Sequence, residues 1–484
     1  MIFRTNVQLK TVKSVIPKGI GKFLIFIFVS IAANYFSPII IIKDLWFLLL
    51  IYLYTQSTDE PFWLALMLVL NDGFMSFFGV RGVLLESFGI PDFEISHFYL
   101  LAVMYKVAQK PKKAYVFYDN WLRILLGLII ILVIWGFSQG IPDDYSIGLR
   151  TLRVIYPLLL FYYIPKILTE PADYERLFSF VFIIALLGFV TQVFSVLVGA
   201  GPRVIFGISE GRIMDDLTVR AWRGFYNSSS SLIAFMAAMF YLVSSRKVFP
   251  KLYLQVIMIA IYVSILLSAT RGWIVGFGIS AVLFFLFIQK VDIKQIAAFF
   301  IIAFIALQVL MLHPRMQIQI SNAIERTLTL EALIEGDLTA GGTASRADIQ
   351  GPAVMVIWEQ SPFIGWGFSD VYYKNYNVHV GNQTILLHSG IIGALLLLGF
   401  FAFFFFKLYY LSMNIRKKHP YSLSLLVFPV FFLGWFFIHS TSGQHFGYTT
   451  SYINALPQSI FLGFGATIYR QIILDRQSKV EKQR

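Results

Sequence analysis

LRILLGLIIILVIWGF, residues 122–137, carries one arginine and no other charge over sixteen positions. Its apolar residues run on without alternating with polar ones, which excludes a barrel strand. A continuous run of this kind reads as a helix in hydrocarbon, where every backbone N–H and C=O must be bonded within the segment. Working outward, similar stretches recur near 23–37, 38–54, 62–80, 93–108, 150–165, 177–199, 229–244, 252–269, 273–289, 295–312, 383–406, 423–439 and 455–470. With 122–138 they make fourteen candidate spans, each close to the roughly 20 residues that one helical crossing needs. The composition agrees: 13% of the 484 residues are charged, against about 25% in a soluble chain. The expected fold is therefore all-α, a polytopic membrane protein of about fourteen transmembrane helices. In the first two spans, Pro38 and the pair Lys43–Asp44 leave open one tilted helix or a tight hairpin.

Lysine and arginine collect on the cytoplasmic side of membrane proteins. A cytoplasmic N-terminus puts YKVAQKPKK (105–113), SSRKVFPK (244–251), QKVDIK (289–294), NIRKKH (414–419) and the C-terminal tail inside, and the alternation closes over all fourteen spans. The basic stretch Arg4, Lys10, Lys13, Lys18 and Lys22 resembles the start of a signal peptide, but no small-residue cleavage site follows it, so the first span is expected to stay uncleaved. Of the 39 basic residues, 26 then lie inside. The other 13 comprise two lysines, Lys43 and Lys374, and eleven arginines: 81, 150, 153, 203, 212, 220, 223, 271, 315, 326 and 346. Arginine's planar fork matches phosphate and carboxylate bidentately, whereas lysine is a point charge. Arginines on the outer face thus point to an anionic ligand, the plain alternative being interfacial snorkelling.

One connection, residues 313–382, is far too long for a turn. Its NAIERTLTLEALIEG and RADIQGPAVMVIWEQ parts have helical spacing, separated by the flexible GDLTAGGT. The chain divides accordingly into spans 1–11 (1–312), a large periplasmic loop with amphipathic helices (313–382), and spans 12–14 with a cytoplasmic tail (383–484). There is no cytoplasmic domain, no GxxxxGK nucleotide loop, no cysteine and no internal repeat. Function is expected on the outer side, without ATP.

Three outer features converge. SATRG (268–272) sets Arg271 where two spans meet the interface, as a diphosphate clamp or as an anchor. RAWRGFYNSSS (220–230) offers Arg220 and Arg223 ahead of a helix start, where anions are favoured. In SRADIQGPAVMVIWEQSPFIGWGFSDVYYKNYNVHVGNQTILLHSGIIG (345–393), His379 precedes a span, near Trp366, Phe368, Tyr372, Tyr373 and Tyr376, whose apolar faces suit sugar rings. Gly390 and Gly393 are spaced to let helices approach. His388, His439 and His445 read as packing or hydrogen-bonding residues. The pairs Asp143–Asp144 and Asp215–Asp216 could hold a divalent cation, though such pairs are commonly just solvated.

These residues resemble the O-antigen ligase and polysaccharide polymerase superfamily of the bacterial envelope. Its loop signature is a histidine, a polar residue, nine residues and Gly-x-x-Gly. Here His379, Val380, residues 381–389, Gly390 and Gly393 match it in spacing. Val380 departs from the polar second position. Thr270–Arg271–Gly272, Arg223–Gly224 with Asn227, and Arg346, Trp358, Pro362, Gly365 and Gly367 resemble further family elements. The likeness runs over roughly 150–400.

The resemblance implies a membrane-embedded, metal-independent glycosyltransferase of the C type with no cofactor. It implies a bacterial inner-membrane enzyme moving an undecaprenyl-diphosphate-linked glycan to an acceptor glycan or lipid at the periplasmic face. Arg271 and His379 would be catalytic, with Arg220, Arg223 and Arg346 on the diphosphate. A polymerase of O-antigen or exopolysaccharide repeat units is favoured over a ligase that moves finished polymer to the lipid A core, because Val380 weakens the ligase signature. Membrane lipids surround such a chain, nucleic acid has no part, and a chain-length regulator or flippase is the kind of partner implied. From another class, a lipid-linked oligosaccharide flippase would use Asp72, Asn34 and Gln192 within the spans; no paired broken helices in matching halves point to it.

Overall fold

A computed structural model describes residues 16–36, 40–71, 83–84, 93–110, 114–142, 146–200, 228–268, 270–289, 301–302, 304–305, 307–334, 349–376, 380–415, 419–441 and 452–481. Apart from a two-residue antiparallel ladder, β1 (Val83–Leu84) with β2 (Phe93–Glu94), the regular structure among these residues is helical.

The helices before the long connection are α1 (Ile20–Phe36), α2 (Ile40–Gln56), α3 (Glu60–Leu70), α4 (Ile95–Ala108), α5 (Asp119–Gln139), α6 (Ser146–Ile167), α7 (Pro171–Val198), α8 (Ser228–Val243), α9 (Lys251–Leu267) and α10 (Arg271–Leu283). A π-helical turn, Phe284–Gln289, extends α10. The long connection holds α11 (Pro314–Ile334), α12 (Gly351–Trp358) and α13 (Asp370–Asn375). Then come α14 (Gly381–Asn414), α15 (Val427–Thr441) and α16 (Tyr452–Glu481). Among the described residues three helices are long and apolar enough to cross a membrane, Asp119–Gln139, Pro171–Val198 and Gln383–Asn414, and eight shorter ones are apolar. The opening region resolves into two helices, α1 and α2, packed together with the Trp46 indole donating to Ser30 Oγ at 2.9 Å.

Helices apolar all round belong in a bundle's interior. α3 is buried from Pro61 to Leu70, α8 from Ser230 to Phe240, and α16 from Ala455 to Ala466. Aromatic rings fill the space between them: Phe464 meets Tyr174, Phe178 and Phe240 at centroid distances of 5.1, 4.9 and 4.6 Å. Lipid tails are as apolar as leucine, so packing rather than water exclusion holds such helices together. Where α10 crosses α15 the contact is backbone on backbone: a Cβ on Gly276 would stand 2.7 Å from the Gly434 carbonyl oxygen.

Polar contacts tie the helix ends in two groups. In one, Lys106 pairs with Glu60 and donates to the Tyr54 and Ser57 carbonyls, Lys110 donates to those of Lys166 and Ile167, and Arg176 pairs with Asp59. Arg246 pairs with Glu175 at 2.9 Å, His419 with Asp475 at 3.1 Å, and Arg470 donates to the Thr169 carbonyl. Tyr421, beside Arg246 in this group, has its phenol pushed up to about 12 by burial. In the other group, Arg315 donates to the carbonyls of Leu197 and Val198, Gln319 to that of Leu267, and the amide of Asp370 to that of Gly140. Every pairing joins loops that the charge pattern assigns to one side. Several of these cations sit on helix C-termini, satisfying carbonyls that the last turn leaves open.

Candidate functional site

Gly390 interrupts α14. Its φ of 60° and ψ of −167° are not helical, and at its place a helix would have bonded the amides of Ile391 and Ile392 to the carbonyls of Leu387 and His388. The segment Pro362–Gly367 supplies all four groups with partners. Ile391 and Ile392 donate to the carbonyls of Pro362 and Phe363 at 2.9 and 3.1 Å, while Trp366 and Gly367 donate to those of Leu387 and His388, both at 2.8 Å. Unbonded backbone at this depth costs several kcal/mol per group, so the loop is what permits the break.

Only glycine fits. A Cβ on Gly390 would lie 2.3 Å from the Phe363 carbonyl, and one on Gly365, at φ 71°, 2.6 Å from the Gly390 nitrogen. The expectation that Gly390 and Gly393 let helices approach is corrected in this respect: Gly390 admits a loop, not a helix. The same loop is pressed onto the end of α5. Trp135 Nε1 donates to the Gly365 carbonyl at 3.0 Å, the Phe368 amide to Leu132 at 3.3 Å, and a Cβ on Gly136 would meet the Phe368 nitrogen at 2.2 Å.

Next comes α13, whose N-cap Ser369 accepts from the Tyr372 amide at 3.3 Å. Phe368 and Tyr372 are buried against His388, with ring centroids 4.7 and 4.8 Å away, so these two rings are not available to a sugar. Tyr376, 39% exposed, is the open ring of the five aromatics. His388 is fully buried, as a packing histidine would be. Val380 lies in a cluster with Val354, Tyr372 and Leu387, which explains an apolar residue at the position where the family pattern has a polar one.

Arg271 is the first residue of α10, behind the N-cap Thr270. Arg220, Arg223, Arg346 and His379 lie outside the described residues, as do the side chain of Arg271, the pairs Asp143–Asp144 and Asp215–Asp216, Asp72, His445 and the side chain of His439. Among the described residues no three His, Asp or Glu side chains gather as metal ligands. Gln192 is fully buried on α7, and its amide atoms have no hydrogen-bond partner among the described residues. Arg315 spends one terminal nitrogen, Nη1, on helix carbonyls.

The stretch that contains the Arg271 turn, α11 and the interrupted α14 is the part with a family likeness. Residues 254–407 match the O-antigen ligase family. Over this third of the chain the sequence is similar to the O-antigen ligases. The matched stretch runs from α9 into α14 and takes in Arg271, Arg346 and His379, with Arg220 and Arg223 before it. Together with the apolar helices, this likeness supports a membrane glycosyltransferase of ligase or polymerase type, acting on lipid-linked glycan. No curated protein matches the chain.

Sequence reasoning missed the α5 contribution and the two side chains of α11 that reach helix ends. The run Trp135–Gly136–Phe137 carried a signal for the first, since a glycine beside an indole at a span end suits a close backbone approach. Nothing local marked Arg315 or Gln319 as caps, because their partners are more than fifty residues away.

Proposed function

We propose that the chain polymerises repeat units of a surface polysaccharide, transferring an undecaprenyl-diphosphate-linked glycan to an acceptor sugar at the periplasmic face of the bacterial inner membrane. Both termini then lie in the cytoplasm, with residues 313–382 as the periplasmic loop between spans 1–11 (1–312) and spans 12–14 with the cytoplasmic tail (383–484). The observation that carries this reading is the likeness to the O-antigen ligases over 254–407, which includes the Arg271 turn and the segment holding His379.

The acceptor hydroxyl oxygen attacks the anomeric carbon as the bond from that carbon to the diphosphate oxygen breaks. The electron pair leaves with the diphosphate, and the hydroxyl proton passes to His379. A histidine, with an ordinary pKa near 6.5, suits that role. The diphosphate needs its growing charge met by fixed donors, each worth about 2.7–4 kcal/mol in a site closed to water. Arg271, Arg220, Arg223 and Arg346 take that part, and no step requires a metal.

A ligase is the second reading, favoured by the family's description and by the spacing of His379 to Gly390 and Gly393. The glycan profile of a deletion strain separates the two. Single-repeat products are expected. Long chains stranded on the lipid carrier would establish the ligase instead, and an unchanged profile would overturn both.

A further inference from the structure

Two side chains one turn apart on α11 reach back into the bundle. Arg315 donates through Nη1 to the carbonyls of Leu197 and Val198, the last residues of α7. There Gly199 turns left-handed at φ 73°, and a Cβ on it would lie 2.7 Å from that same nitrogen. Gln319, fully buried, donates through Nε2 to the carbonyl of Leu267, the last residue of α9. Met316 and Ile320 fill the space between, against Val196, Val263 and Leu267.

The end of α9 leads directly to an arginine. After Leu267 only Ser268, Ala269 and Thr270 precede Arg271, and that turn is tightly made. Ser268 donates from its amide to the Ser264 and Ile265 carbonyls and from Oγ to the Ile265 carbonyl at 2.7 Å, with Thr270 Oγ1 3.2 Å from that oxygen. After Gly199 the chain runs on toward Arg220 and Arg223. α11 itself is the first helix of the connection that later carries Arg346 and His379.

We infer that Gln319 and Arg315 are positioning residues for the transfer reaction: they clamp the first helix of the outer loop onto the ends of α7 and α9, the second of which leads within four residues to Arg271. This inference rests on the reading of the chain as a glycosyltransferase. The physical reason is that donors which stabilise developing charge work only where they are already held in place, and small misplacements are costly to rate. A helix C-terminus leaves carbonyls without intrahelical partners. A side chain from the loop that satisfies them ties the loop's position to that of the next residues in the chain.

The full-length protein in nanodiscs, given polyprenyl-diphosphate-linked glycan and acceptor, tests this by single-turnover rates, kcat and KM. Gln319→Met keeps volume and removes the donor. It is expected to lower kcat about tenfold while KM for the lipid-linked glycan changes less than twofold. Arg315→Met should behave similarly, and Arg315→Lys, which keeps a donor, should recover most of the rate. The deciding arm combines Gln319→Met with Arg271→Lys. If Gln319 acts through Arg271, the double variant is no slower than Arg271→Lys alone. Rates that fall by the product of the two single effects, or a Gln319→Met enzyme at wild-type kcat, overturn the inference and leave the glycosyltransferase reading standing. A wild-type protein that releases no polyprenyl diphosphate overturns both.

Discussion

The amide of Gly367 donates to the carbonyl of His388 across 2.8 Å, taking the place that Ile392 would hold in an unbroken helix. This one bond links the Pro-x-x-Gly-x-Gly stretch of the loop to the Gly-x-x-Gly stretch of the span. Two motifs about 25 residues apart in sequence are thus the two sides of one backbone exchange.

Gly390→Ala should therefore destabilise the protein severely. A Cβ there meets backbone atoms of Phe363 at 2.3 Å, and a φ of 60° with ψ of −167° is a region essentially confined to glycine, costing another residue about 1–3 kcal/mol before any clash. Thermal unfolding in detergent is expected to show a large loss. Gly127→Ala, on α5 with nothing within 4 Å of its Cβ, should instead be neutral or stabilise by up to about 1 kcal/mol.

Arg246→Met removes a cation from Glu175, which is 2% exposed. Because Arg246 is itself half-exposed, the expected loss is about 1–3 kcal/mol, below that for a fully buried pair. The double variant with Glu175→Gln should regain most of it. Unfolding curves of the two singles and the double measure this directly.

The chain has no cysteine, so single cysteines report sidedness cleanly. Lys374→Cys, at an exposed position of α13, is expected to react with a membrane-impermeant maleimide in right-side-out vesicles. Gln477→Cys, exposed near the end of α16, should react only after permeabilisation. The reverse pattern would invert the topology.

Arg271→Lys keeps the charge but not the fork. Turnover is expected to fall at least a hundredfold with the protein still present in the membrane. Near-normal turnover would return Arg271 to an anchoring role.

Helices were legible because hydrocarbon demands long apolar runs, and Asp119–Gln139 and Pro171–Val198 emerged within a few residues of 122–138 and 177–199. What could not be read were relations between distant residues. Gly390 looks in sequence like any small residue in a span, and only Phe363 lying against it shows why it is glycine. Phe368 and Tyr372 looked like sugar platforms because their types permit it, yet burial against His388 decides otherwise. Arg315 was counted with the anion-facing arginines; one of its terminal nitrogens goes to helix carbonyls, and residue type alone does not show that.

The most direct test of glycan transfer is release of undecaprenyl diphosphate by purified protein supplied with lipid-linked glycan and acceptor, compared with His379→Ala at equal abundance. The proposed mechanism predicts release coupled to product by the wild type and a loss of at least a hundredfold in the variant. Equal release by both would contradict His379 as the base, and no release by either would contradict glycan transfer itself.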